Sequence, residues 1–166
     1  LYDGGIQVIN ISNPSAPVLA ATCKYTMYNE AWDIAVSGDY AYIVDYFAGL
    51  HIMSVIEPSK PMLKGIYYTP GSIIDAAVNG KYVCAVGDLS GLQIIDISNA
   101  SDPKIAGSIG RMRGVHGLTT SGNYVSISDT GFLIIDISNP SSPKLVGSYK
   151  TPGLPYDVAI KGKYAY

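Results

Sequence analysis

Charge is scarce in this chain. Only 14% of its 166 residues are Asp, Glu, Lys or Arg, and the net charge is −2. A surface that grips nucleic acid needs clustered Lys and Arg, so this composition argues against that class of partner. Histidine occurs twice, as His51 and His116, and cysteine twice, as Cys23 and Cys84. Neither pair has metal-ligand spacing, and the two cysteines hold different positions in their repeats. They read as small apolar core residues, not as a disulfide. No apolar run approaches the roughly 18 residues that span a bilayer, so a transmembrane helix is not expected. No stretch shows a 3.6-residue hydrophobic period, which removes the helical repeat folds. Also lacking are a nucleophile beside a base, a phosphate-cradling glycine loop and any motif that asks for a cofactor. The chain opens on Leu1 without Met, which points to a processed or excised product.

What the chain does hold is repetition. Gly91-Leu-Gln-Ile-Ile-Asp-Ile-Ser-Asn-Ala-Ser-Asp-Pro-Lys-Ile-Ala-Gly-Ser-Ile109 returns as Gly131-Phe-Leu-Ile-Ile-Asp-Ile-Ser-Asn-Pro-Ser-Ser-Pro-Lys-Leu-Val-Gly-Ser-Tyr149. Looser copies start at Gly5 and Gly49. Self-similarity at about 40 residues marks a repeat architecture. Within a unit, LQIIDIS is apolar on both alternate faces, so it predicts a strand covered on both sides. Asn99 to Pro103 supplies turn chemistry, and Lys104–Ile109 predicts a second strand. Val115–Thr120 and Tyr124–Ser128 complete the four, joined by a tight turn at Ser121-Gly122-Asn123. The same turn recurs at Ser37–Asp39, Asn79–Lys81 and Lys161–Lys163, each followed by a Tyr-rich strand. An Asp closes that strand in each copy (Asp3, Asp45, Asp88, Asp129) and reads as a turn cap. Four antiparallel strands per unit make an all-β fold, a β-propeller with four blades of 40 to 44 residues in a single domain over residues 1–166.

LQIIDISNASDP, FLIIDISNPSSP and IQVINISNPSAP resemble the LVIVD repeat of propeller-like proteins from bacterial and archaeal cell surfaces. The copy at MSVIEPSKP departs from it, with Ser54 where Asp is expected. The resemblance implies a fold and an extracellular or cell-surface location, and it implies no reaction.

An open arc of blades would leave apolar faces bare. Three arrangements answer this. Residues 1–23 and 156–166 join as one composite blade of a four-bladed ring; or a second copy of the chain completes a larger ring; or further blades do so.

In a propeller the loops entering the innermost strands form a binding mouth, and here those loops are the least repetitive segments. Trp32, Ile74, His116 and Tyr156 are equivalent positions just before that strand, joined by Tyr28, Glu30, Arg111 and Arg113. Aromatic faces and bidentate Arg donors suit a protein or carbohydrate ligand; the bland alternative is that Trp32 and Tyr156 plug the channel. Asp33, Asp75 and Asp157 come next, with Gly117 as the vacancy. Such a set either holds a hard cation or, more commonly, accepts backbone N–H groups. The expected role is a non-catalytic scaffold or recognition module. The competing expectation is a hydrolase or lyase built around Glu30, Arg111, Arg113 and His116.

Overall fold

The structure, a computed structural model, describes residues 5–24 and 30–166. The described residues contain strands and turns and no helix. Three complete four-stranded antiparallel blades stand side by side. The first holds β3 (Ala31–Ser37), β4 (Tyr40–Asp45), β5 (Gly49–Ser54) and β6 (Met62–Tyr67). The second holds β7 (Asp75–Asn79), β8 (Tyr82–Gly87), β9 (Gly91–Asp96) and β10 (Lys104–Ile109). The third holds β11 (Gly117–Ser121), β12 (Tyr124–Ser128), β13 (Phe132–Asp136) and β14 (Lys144–Tyr149). Half-blades flank them: β1 (Ile6–Asn10) with β2 (Val18–Cys23), and β15 (Ile160–Lys161) with β16 (Tyr164–Ala165).

The sheets show where the repeat is cut. A unit counted from its opening glycine straddles two blades, because β9 and β10 are the outer strands of one blade and β11 and β12 the inner strands of the next. The Gly-to-Gly unit is therefore out of phase with the blade. β1–β2 correspond to an outer pair and β15–β16 to an inner pair. Among the described residues they form separate two-stranded sheets, and no strand pairing joins residues 1–23 to 156–166.

Local chemistry explains the strand ends. Gly38, Gly80, Gly122 and Gly162 take φ between 56° and 61° in the hairpins between inner strands, a region that glycine enters without a Cβ penalty. β9 stops at Asp96 because its carboxylate accepts the Ser98 N–H at 2.9 Å, and Asp136 does the same for Ser138 at 2.8 Å. β11 begins two residues later than the expected Val115. The Val115 N–H is drawn instead to Asp88 Oδ1 at 3.0 Å, across the boundary between blades.

Strands apolar on both faces end up buried on both faces. β5 is buried along its whole length, and β9 nearly so. One core layer joins the first and second blades through Val44, Leu50, Ile52, Ile73, Ile95 and Ile97. A second joins the second and third through Val86, Leu92, Ile94, Ile127, Ile135 and Ile137. A smaller one joins β1–β2 to the first blade, with Ile6 and Cys23 against Ala41, Ile43 and Met53. Burying such side chains stabilises by roughly 1.5–3 kcal/mol each. Glycine sets the closest approach between blades. A Cβ at Gly65 would overlap the carbonyl oxygen of Ala100, and one at Gly107 would overlap that of Pro140. β6 and β10 therefore each seat the Asn-X-Ser turn of the following blade directly on the backbone.

Candidate mouth of the propeller arc

The inner strands β3, β7 and β11 lie next to one another, and a carboxylate ladder links them. Asp33 Oδ2 accepts the N–H of Ala76 at 3.1 Å, and Asp75 Oδ2 accepts that of Leu118 at 2.6 Å. Each Asp thus ties its own blade to the next. Gly117 breaks the ladder for lack of a carboxylate, and Asp157 Oδ1 takes the Val158 N–H of its own segment instead, at 2.7 Å. The break has a steric reason: a Cβ at Gly117 would lie 2.9 Å from Asp157 Oδ1 and 3.3 Å from Asp75 Oδ2. Asp75 is half-buried beside the Asp33 carboxyl. Burial first, and that partner second, push its pKa up to about 7. Asp33, Asp75 and Asp157 each accept a backbone N–H, and among the described residues no three His, Cys, Asp or Glu side chains are placed to hold a metal ion.

Around this ladder the mouth loops carry rings. Trp32 stacks on Tyr46 with centroids 4.7 Å apart, and Phe47 meets Tyr46 edge-on at 5.0 Å. On the far side His116 lies against Tyr156 with centroids 4.6 Å apart. In the arc Trp32 is 60% exposed and Tyr156 73%. Ile74 is half-buried against the core between the second and third blades, not in the ring of aromatics.

Arg111 and Arg113 flank a hollow of about 380 Å³ that Tyr46, Ser72, Asp88 and Leu89 also line. Both arginines are exposed, and among the described residues neither has a carboxylate within ion-pair distance. The hollow is shaped by backbone bonds: Met112 N–H to the Asp88 carbonyl at 3.0 Å, and His116 N–H to the Ser128 carbonyl at 3.0 Å. Glu30 is exposed on the Trp32 side, where its carbonyl accepts the Tyr46 N–H at 3.1 Å. Tyr28 and Asp3 lie outside the described residues. The structure thus gathers Trp32 with Tyr46, and His116 with Tyr156, and places the arginines together at the hollow.

Tyr46, Phe47 and Leu89 are site residues that the loop-by-loop reading passes over. They follow the strand-closing Asp, at the turn where the copies diverge as DYFAG, DLSG and DTG, and that divergence is the signal that points to them. The capping role expected of those Asp residues holds at Asp45, whose Oδ1 accepts Phe47 N–H at 3.1 Å and Ala48 N–H at 2.9 Å. It holds at Asp129, which accepts the Thr130 N–H. Asp88 instead reaches into the next blade, as described above.

The LVIVD repeat pattern matches residues 2–25, 29–69, 70–110, 113–151 and 152–166. Among solved structures, the chain is similar to one from a S. cerevisiae assembly of a Dbp5 variant bound to Nup159, a Gle1 variant, IP6 and ADP. Identity is 12% and the TM-score 0.56, over 92% of this chain and 41% of that one. It is similar to the N-terminal domain of Nup159 at 12% identity and TM-score 0.53, over 96% of this chain and 51% of that one. A functionally unknown protein from Desulfotomaculum acetoxidans DSM 771 matches at 13% identity and TM-score 0.51, over 86% of this chain and 63% of that one. These likenesses show the propeller type of fold, and this chain spans less than two thirds of each of those chains. No curated protein matches it in sequence. The three central repeat matches fall on the three complete blades and the two terminal ones on the half-blades, and the chain belongs to the LVIVD-repeat family.

Proposed function

We propose that this propeller is a non-catalytic recognition module of an extracellular or cell-surface protein, and that its mouth binds acidic groups on a protein or carbohydrate. The observation that carries the reading is the pair of exposed, unpaired arginines at one hollow, bordered by the aromatic stack that Tyr46 shares with Trp32 and Phe47. Guanidinium forks match carboxylate and sulfate oxygens bidentately, and exposed ring faces stack on sugar or peptide planes. With a net charge of −2, long-range attraction does not draw an acidic ligand in. Recognition is left to local geometry. The surface location rests on the LVIVD resemblance, and the protein-assembly setting of the Nup159 relatives favours a protein partner over a sugar.

Trp32 is the only tryptophan, so its emission reports on this mouth alone. Titration with poly-L-glutamate and with polygalacturonate tests the reading against neutral dextran. A shift in Trp32 emission with an acidic polymer, lost in the Arg111→Ala/Arg113→Ala double variant and absent with dextran, supports it. Unchanged emission with both acidic polymers refutes it. The stronger of the two responses separates protein from carbohydrate.

A further inference from the structure

We infer that Asp88 is the positioning residue of the mouth. It reaches from the second blade to hold the loop that carries Arg111 and Arg113 into the third, and so sets where the two guanidinium groups stand. The role in binding rests on the reading of the hollow as a site for acidic groups.

Two departures from the repeat meet at this residue. The first lies in the turn that Asp88 opens. Asp45 and Asp129, at the same place in their copies, direct a carboxylate oxygen to their own turns, at Phe47 and Ala48 and at Thr130. The turn after Asp88 is held by other groups. The buried Ser90 hydroxyl donates to the Ser72 carbonyl at 2.9 Å, and the buried Gln93 amide donates to the Ser90 carbonyl. The Asp88 carboxylate is thereby released from capping.

The second departure lies in the loop that receives it. The loops after β6 and β14 contain Thr-Pro-Gly, and each closes on itself: Thr69 Oγ1 donates to the Gly71 carbonyl, and Thr151 Oγ1 to that of Gly153. The loop after β10 reads Gly-Arg-Met-Arg-Gly over residues 110–114, with no hydroxyl or amide side chain to close a turn. Asp88 supplies the bonds from outside. Its carbonyl accepts the Met112 N–H at 3.0 Å, and its Oδ1 accepts the Val115 N–H at 3.0 Å.

Those two points enclose the segment that presents the arginines. Met112 and Val115 are buried in the core layer between the second and third blades, while Arg111 and Arg113 are exposed and line one hollow. Gly114, at φ 71°, bends the chain directly after Arg113, a conformation open to glycine without a Cβ penalty. The side chains of Met112 and Val115 hold the loop to the core, and the Asp88 bonds fix the backbone path between them.

Asp88 is also a negative charge beside two cations, and the two roles have opposite consequences. Removing only a charge would strengthen binding of an acidic ligand. Removing the bond that places the arginines weakens it. Asp88→Asn separates the two, because it keeps an oxygen for the Val115 N–H and drops the charge.

Two measurements on the 166-residue chain and its Asp88→Ala and Asp88→Asn variants test this. Limited trypsin digestion read by mass follows cleavage after Arg111 and Arg113 and needs no ligand. Asp88→Ala is expected to be cut there about fivefold faster than wild type, the scale of one lost hydrogen bond, with cleavage at the lysines unchanged. Asp88→Asn is expected to be cut at the wild-type rate. Titration with poly-L-glutamate, followed by Trp32 emission, reads binding. Asp88→Ala is expected to raise the half-saturating concentration about fivefold, and Asp88→Asn is expected not to raise it. Unaltered cleavage in Asp88→Ala overturns the inference, and so does binding by Asp88→Ala as tight as wild type or tighter. Faster cleavage in Asp88→Ala with no emission response in any chain upholds the hold on the loop and refutes the acid-binding reading instead.

Discussion

Asp75 holds its proton to about pH 7 because burial and the neighbouring Asp33 carboxyl penalise its charge. A folded-state pKa above the unfolded value means that the folded form binds more protons between the two. The stability this group contributes is therefore full below about pH 3.8 and is lost as pH rises through about 7. His51, buried within β5, runs the other way. Burial lowers its pKa against a smaller opposing pull from Asp45, so its contribution is lost as pH falls below the ordinary histidine range. Asp75→Asn keeps an oxygen for the Leu118 N–H and removes the charge. The variant is expected to melt higher than wild type at pH 8 and to lose the downward slope between pH 5 and 8, as read by thermal unfolding across buffers. Cys84 gives a second residue-scale expectation. Burial pushes its thiol up to about 12, and the thiolate is the reactive form. Maleimide is expected to spare Cys84 in the native protein and label it once urea unfolds the chain.

Among the strands, burial separates residues that look alike in sequence. Ile94 in β9 is fully buried, whereas Leu145 in β14 is 56% exposed. Ile94→Ala is expected to cost about 2–5 kcal/mol through lost packing and the cavity it leaves. Leu145→Ala is expected to stay within about 0.5 kcal/mol. Urea denaturation of the two variants checks the contrast. The strands and their hairpins were legible in the sequence because both signals are local: alternation along one segment, and glycine where φ must be positive. Lys104–Ile109 and Tyr124–Ser128 match the expected strands residue for residue. What one segment cannot display is a bond to another blade. The late start of β11 depends on Asp88, and the ladder bonds of Asp33 and Asp75 each reach a residue 43 positions away. The mouth was legible to the same extent. The loops carrying Trp32, His116 and Tyr156 stood out by breaking the repeat. The stacking of Trp32 on Tyr46 did not, since it needs the start of β3 to meet the turn after β4.

Across the whole molecule, protection follows position in the arc. β4, β5, β8 and β9 lie between covered faces, while β1, β2, β15 and β16 belong to two-stranded sheets with much of their surface open. Repeat arrays lose structure from their ends, because each unit is stabilised by its neighbours. Native-state hydrogen exchange is expected to be slowest in those four central strands and fastest in the two terminal hairpins. The glycine-seated turn has one more implication. A socket on one blade and a knob on the next are unlike surfaces, so every blade carries one of each and the junction needs no symmetry between its two sides. A repeat duplicated between the second and third blades would find both of its contacts ready-made.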